Sequence, residues 1–165
     1  RDIKNYEVTS AYAYNSPFDE KVFNFNCDWF KCNNPFDNIP IYDIRGYAHH
    51  YICDNTFKDW CETHNAFSDS GNYSTTAENV YRYISGDTEF VEEHTALSDS
   101  EIETEILFFS LFMGARIETE YKPFRTIARP QKKTFTVKKN NEVIFTDEVD
   151  SIRYMKTNNT IILKG

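Results

Sequence analysis

Glycine and proline are scarce, five of each in 165 residues. That excludes collagen-like and low-complexity chains. Cysteine is limited to Cys27, Cys32, Cys53 and Cys61, too few in a chain of this size for a disulfide scaffold. No apolar run reaches the roughly 18 residues of a membrane span. The longest, Ile106 to Ala115, is broken by Ser110 and Gly114. The start carries no secretory pattern, so a cytoplasmic protein with no membrane partner is expected. A methionine start is also missing; the first residue is Arg1, and a further segment upstream is expected. Basic residues are sparse in one region only. Residues 1–121 hold 8 Lys+Arg against 22 Asp+Glu, a net of −14, whereas residues 122–165 hold 10 against 4, a net of +6.

Aromatic residues are abundant, with 14 Phe, 11 Tyr and 2 Trp, and that excludes an intrinsically disordered chain. The length suits one domain with a small appendage, large enough to bury a core without disulfides or structural metal. The basic run Lys122, Arg125, Arg129, Lys132, Lys133, Lys138 and Lys139 contains no acid, and such a run can neutralise phosphates. An acidic body is compatible with that role if its carboxylates bind divalent cations, which invert the local field.

The pattern of residues predicts an α/β body. Tyr6 to Tyr14 is rich in β-branched and aromatic residues and reads as a strand. Ser16 as N-cap, Pro17 and Asp19 then open a helix to about Lys31, with an apolar stripe of Phe18, Val22, Phe25 and Trp29. Ile39–Ile44 reads as a short strand, and Arg45–Cys53 and Thr56–His64 as helices. Phe67–Tyr73 is a loop. Thr75 and Glu78 form a capping box for a helix ending near Ile84, with Gly86 beyond it. Thr95–Met113 is the longest helical pattern, apolar at Ile102, Ile106, Phe109 and Met113 and closed by Gly114. Beyond Pro130 the pattern changes. VKKNNEVIF and MKTNNTIIL recur at an 18-residue offset and predict two successive antiparallel β-hairpins turning at Asn140-Asn141 and Asn158-Asn159. The expected domains are 1–120 and a basic β appendage over 130–165.

Two segments carry candidate chemistry. In Tyr14-Asn15-Ser16-Pro17-Phe18-Asp19 a strand ends in a capped helix bearing an acid. In His94-Thr95-Ala96-Leu97-Ser98-Asp99 a histidine stands five residues before an acid that opens the long helix. Taken singly, each has an ordinary structural explanation. Asp19 can be a first-turn helix acid, His94 a surface residue, and Asp99 one of several helix acids with Glu101, Glu103 and Glu105.

Taken together, they resemble the second and third motifs of the DEDDh 3′–5′ exonuclease family, the group of proofreading epsilon-type and ribonuclease T-like enzymes with a ribonuclease H-like fold. Asn15, Phe18 and Asp19 match its N-x-x-F-D segment, and His94 and Asp99 its H-x(4)-D segment. Ile41-Tyr42-Asp43-Ile44 looks like the family's short strand leading into a helix, and the resemblance spans about residues 5–115. It implies metal ligation by Asp19 and Asp99 and His94 as general base. It also implies two Mg²⁺ or Mn²⁺ ions, for which hard carboxylate oxygens are suited. Asn15, Phe18 and the basic run Lys122–Lys139 would hold nucleic acid. The implied partner is a single-stranded 3′ end, DNA ahead of RNA, together with a polymerase or another replication or repair protein. The family's first motif, D-x-E on an early strand, is missing. Asp87-Thr88-Glu89 and Asp99-Ser100-Glu101 fit its letters but lie downstream of Asp19 and outside any strand signal, and the two remaining acids are expected upstream of Arg1.

Two other functions fit parts of the sequence. A non-catalytic nucleic-acid-binding module with an exonuclease-like fold would lack D-x-E and use the basic tail, with Phe135 and Tyr154 as stacking platforms; simple hairpin packing of both aromatics is the ordinary alternative. A zinc-stabilised domain would use Cys27, Cys32, Cys61 and His64, a set with loose spacing. For Phe18 and Tyr14, core packing is expected ahead of contact with a base.

Overall fold

The computed structural model describes residues 5–130, 133–139, 142–149, 151–155 and 160–164, with the side chains of residues 5–130 and Thr136. The chain divides into two compact units, Arg1–Ile127 and Ala128–Gly165.

The first unit runs β1 (Ala11–Ala13), α1 (Ser16–Phe30), β2 (Ile41–Asp43), α2 (Ile44–Tyr51), α3 (Asn55–His64), α4 (Ala77–Ser85) and α5 (Ala96–Phe112). β1 and β2 pair in parallel, Ala11 with Ile41 and Ala13 with Asp43, and α1 is the crossover that a parallel pair requires. Both strands are shorter than their residue types suggest. Pro40 has no N–H to give the ladder, and Asp43 already caps α2, so β2 spans three residues and β1 finds a partner only over the same length.

The start of α1 also differs from expectation. Its N-cap is Asn15, at φ 64° and ψ 45°, with no side-chain cap bond, rather than Ser16. The cap is supplied from the neighbouring strand. Asp43 Oδ1 accepts the Asn15 N–H at 2.9 Å and the Arg45 N–H at 3.0 Å, and the Asp43 carboxylate also takes the Ser16 N–H. One half-buried carboxylate thus ties the starts of α1 and α2 together where both parallel strands finish. The apolar stripe of α1 faces outward: Phe18 is 62% exposed and Trp29 72%. The periodicity identifies a helix there, but the stripe contributes no buried core among the described residues.

α2 is the centre of the core. Ile44, Tyr47, Ala48 and His49 are buried along it, and Ile52 and Cys53 follow. Phe57 and Cys61 of α3, Val80 of α4, and Ile102, Ile106 and Leu107 of α5 close around them. Each fully buried large side chain contributes roughly 1.5–3 kcal/mol of transfer free energy. Gly46 is required by the 121–123 segment, because a Cβ there would lie 1.6 Å from the Tyr121 carbonyl oxygen. The cap of α4 is Thr76, whose hydroxyl accepts the Asn79 N–H at 3.3 Å. The expected box of Thr75 and Glu78 does not form. Thr75 is turned inward to His49 at 2.9 Å, and Glu78 instead pairs with Arg82 at 2.7 Å.

In the second unit, β3 (Lys133–Lys139) pairs antiparallel with β4 (Glu142–Val149), and β5 (Ser151–Met155) with β6 (Thr160–Lys164). These are two separate two-stranded sheets. The Asn140-Asn141 and Asn158-Asn159 turns lie outside the described residues. Among the described residues no helix is long and apolar enough to cross a membrane.

Candidate metal centre

The site forms where the segment after α4 meets the first turn of α5. Gly86, at φ 74°, ends α4, and the following segment is pinned back onto that helix. Arg82 Nε donates to the Phe90 carbonyl at 2.6 Å, and the Phe90 ring meets Tyr81 edge-on at 4.6 Å. This fixes the base of the stretch bearing Glu92 and His94. Thr95 then caps α5, its hydroxyl accepting the Ser98 N–H at 3.2 Å, and Asp99 falls in the first turn, where the helix dipole favours an anion.

Glu92, His94 and Asp99 converge, each offering a ligand atom within 4.8 Å of the others. His94 Nδ1 stands 3.7 Å from Glu92 Oε2, and the imidazole is 79% exposed. The backbone of His94 is left-handed, φ 53°, a conformation that costs a non-glycine residue of order 1 kcal/mol or more and tends to be retained at functional sites.

A third acid lies one helical turn along. Glu103 is on the same face as Asp99, and the Tyr14 N–H at the end of β1 donates to it. Burial, then the charges of Asp19, Asp99 and Glu92, push its carboxyl up to about 7. Glu92 is raised too, by burial first and then by Asp99, with His94 acting the other way. Asp99 Oδ1 is buried and meets no donor. Two carboxylates raised by burial and by neighbouring acids, together with an orphaned buried oxygen, form a set that a hard divalent cation fits. The donors are oxygens apart from one imidazole nitrogen, which suits Mg²⁺ or Mn²⁺.

The sequence-predicted residues divide into two groups. His94 and Asp99 belong to this centre, whereas Asp19 lies outside the three-residue cluster and acts only through its charge on Glu103. Asn15 sits beside it as the cap of α1, whereas the Phe18 ring is exposed rather than packed in the core. Tyr14 is half-buried, and its hydroxyl donates to the Thr75 carbonyl at 2.7 Å. Lys122 lies 3.9 Å from Glu120, on an exposed surface. Arg125 lines a cleft with Arg45. Arg129 falls in the second unit, Lys132 lies outside the described residues, and only the backbone of Lys133, Lys138 and Lys139 is described, as is the case for Phe135 and Tyr154.

The proposed zinc ligands do not assemble. Cys61 is fully buried in the core, Cys27 and Cys32 sit at the end of α1, and the one candidate metal cluster among the described residues is Glu92, His94 and Asp99. Sequence reasoning missed Glu92 and Glu103 as members of the site. The i,i+4 spacing of Asp99 and Glu103 was the available signal for one of them; Glu92 carries no comparable signal.

No family model matches the chain, and no curated protein or solved structure matches it. The likeness to DEDDh exonucleases rests on the two motif segments.

Proposed function

We propose that the first unit is the acid-bearing part of a ribonuclease H-like, DEDDh-type domain that hydrolyses nucleic acid from a single-stranded 3′ end. The observation that supports this is the convergence of Glu92, His94 and Asp99, with Glu103 in the field of Asp19, Asp99 and Glu92. The carboxylates would hold Mg²⁺ or Mn²⁺. When bound, such ions stabilise charge on the attacking and leaving oxygens of a phosphodiester and lower the pKa of water. Glu92 and Glu103 add carboxylates that the N-x-x-F-D and H-x(4)-D segments do not include.

The role of each residue follows from its setting. His94 is exposed with Nδ1 turned to Glu92, so Glu92 orients the ring and Nε2 is free to take the proton of the attacking water. Tyr14, through its backbone N–H, holds Glu103 in place. Asp43 fixes the start of α1 and with it Asp19. Lys122, Arg125, Arg129, Lys132, Lys133, Lys138 and Lys139 would hold the phosphates of the strand, DNA ahead of RNA. A polymerase or another replication or repair protein would be the natural macromolecular partner of such an activity.

The test is release of mononucleotides from a 3′-labelled single strand in Mg²⁺ or Mn²⁺ against EDTA. His94→Ala should slow release by roughly 10²–10⁴-fold, the usual contribution of a general base, and Asp99→Asn should abolish it. Release by His94→Ala at the parent rate would remove the base assignment. The acid-free basic run Lys122–Lys139 favours a second reading, a nucleic-acid-binding module without cleavage. Tight binding of the strand with no metal-dependent release would select that reading.

A further inference from the structure

A cleft of about 440 Å³ lies beside the acid centre and has no part in it. It opens at the carboxyl ends of the two parallel strands, where α/β proteins commonly bind ligands. Tyr14 and Asn15 enter from the end of β1, Arg45 from the start of α2, and Ser70 and Thr75 from the segment leading into α4. Arg125 closes the far side. Its segment is brought there by the bridge between Tyr73 and Ile127, in which the Tyr73 N–H donates to the Ile127 carbonyl at 3.2 Å.

Three properties of the cleft belong together. First, two arginines line it and no carboxylate does, in a region that holds 22 acids in residues 1–121. Second, neither arginine has an acid within ion-pair distance among the described residues. The nearby Asp43 is instead occupied by backbone N–H groups. Third, Arg45 Nε is buried and without a partner, while a terminal nitrogen of the same guanidinium reaches only Thr75 Oγ1, at 3.5 Å. A buried donor left unpaired is unfavourable by roughly 1–3 kcal/mol, and an anion entering the cleft would supply the acceptor. Serine and threonine hydroxyls and the first turn of α4 add donors suited to phosphate oxygens.

We infer that this cleft binds a phosphate of the nucleic-acid strand, with Arg45 and Arg125 as the two cationic contacts. This rests on the reading of the neighbouring acids as a phosphodiester-cleaving centre and extends it. Tyr14 joins the two places, since its N–H holds Glu103 and its ring lines the cleft. The acids alone would repel a polyanion. Two unpaired arginines one residue layer away offset that repulsion and set which phosphate comes to rest beside the acids.

The experiment is fluorescence anisotropy of a labelled single-stranded 12-mer with the full chain in EDTA over a series of salt concentrations. The variants are Arg125→Gln, Arg45→Gln and Ser70→Glu. Arg125 and Ser70 are exposed, so their variants report on binding even if Arg45→Gln proves poorly folded. The expected result is weaker binding by Arg125→Gln and Ser70→Glu, at least several-fold, with the salt slope of Arg125→Gln reduced by about 0.7, the value for one phosphate contact on a single strand. Asp99→Asn should bind at least as tightly as the parent in EDTA, because it removes a negative charge.

Parent-like affinity and slope in both exposed variants would overturn the cleft assignment, and leave the acid centre standing if Asp99→Asn is inactive where the parent cleaves. Loss of binding in the cleft variants, with no cleavage by the parent in Mg²⁺ or Mn²⁺, would uphold the cleft and remove the catalytic reading. A deoxynucleoside monophosphate or inorganic phosphate displacing the 12-mer at micromolar concentration would identify a free phosphate ester as the ligand and overturn the strand assignment.

Discussion

Replacing Glu103 by Gln should stabilise the metal-free protein at alkaline pH and leave it unchanged at acid pH. The native carboxyl is raised from an ordinary 4.5 to about 7, first by burial and then by Asp19, Asp99 and Glu92. Between those two pH values the native state retains a proton that the unfolded chain has released. Stability therefore falls as pH rises through that window. At about 1.4 kcal/mol per tenfold change in the proton affinity, the displacement corresponds to roughly 3 kcal/mol, and water at the half-exposed side reduces this to about 1–3 kcal/mol. Glutamine keeps an oxygen for the Tyr14 N–H and carries no charge. In EDTA at pH 8.5 the variant should melt roughly 3–9 °C above the parent, and the gap should close below pH 5. Adding Mg²⁺ should raise the parent more than the variant, because the cation offsets the same repulsion. A gap independent of pH, or a variant less stable at pH 8.5, would refute the electrostatic argument. Equal stabilisation of both proteins by Mg²⁺ would refute Glu103 as a ligand.

Three further outcomes follow from the packing. His49 is buried, accepts the Phe124 N–H at Nδ1 at 2.9 Å and so carries its proton on Nε2, toward Thr75. Burial, then Arg45 and His50, lower it from 6.5 to about 4, so its contribution is complete above pH 6.5 and is lost as pH falls toward 4. Denaturant titrations at pH 7 and 4.5 should differ by about 2–3 kcal/mol from this group, and His49→Asn should remove most of that difference. Gly46→Ala should lower stability by roughly 3 kcal/mol or prevent folding, since the new Cβ meets the Tyr121 carbonyl oxygen at 1.6 Å; circular dichroism melts read this directly. Thr95→Ala removes the cap of α5 and should cost about 1 kcal/mol in the same assay, while also loosening the backbone that holds His94.

The helices were legible in the sequence because each has local signals: Asp54 caps α3 through the Thr56 and Phe57 N–H groups, Thr95 caps α5, and Gly86 and Gly114 follow α4 and α5 with positive φ. The errors arose wherever the deciding partner is distant. Nothing local announces that Asp43, 28 residues away, replaces the cap of α1, or that Thr75 turns to His49 and leaves the cap of α4 to Thr76. The apolar stripe of α1 shows the limit of periodicity, which identifies a helix but not whether another element covers it. The same holds for the site. Asp19, His94 and Asp99 were readable as motif letters. Glu92 and Glu103 join them through the fold, one by its place two residues before His94 and the other by the donation from Tyr14. Arg45 was invisible as a functional residue because its partners, the 68–76 segment and Arg125, come from later in the chain.

Divalent-cation binding by the acids around His94 is read out by isothermal titration of the full chain with Mn²⁺ at pH 7.5, for the parent and for Asp99→Asn. Saturable binding is expected for the parent, with affinity at least tenfold weaker in the variant. The same binding heat and affinity in both proteins would contradict it.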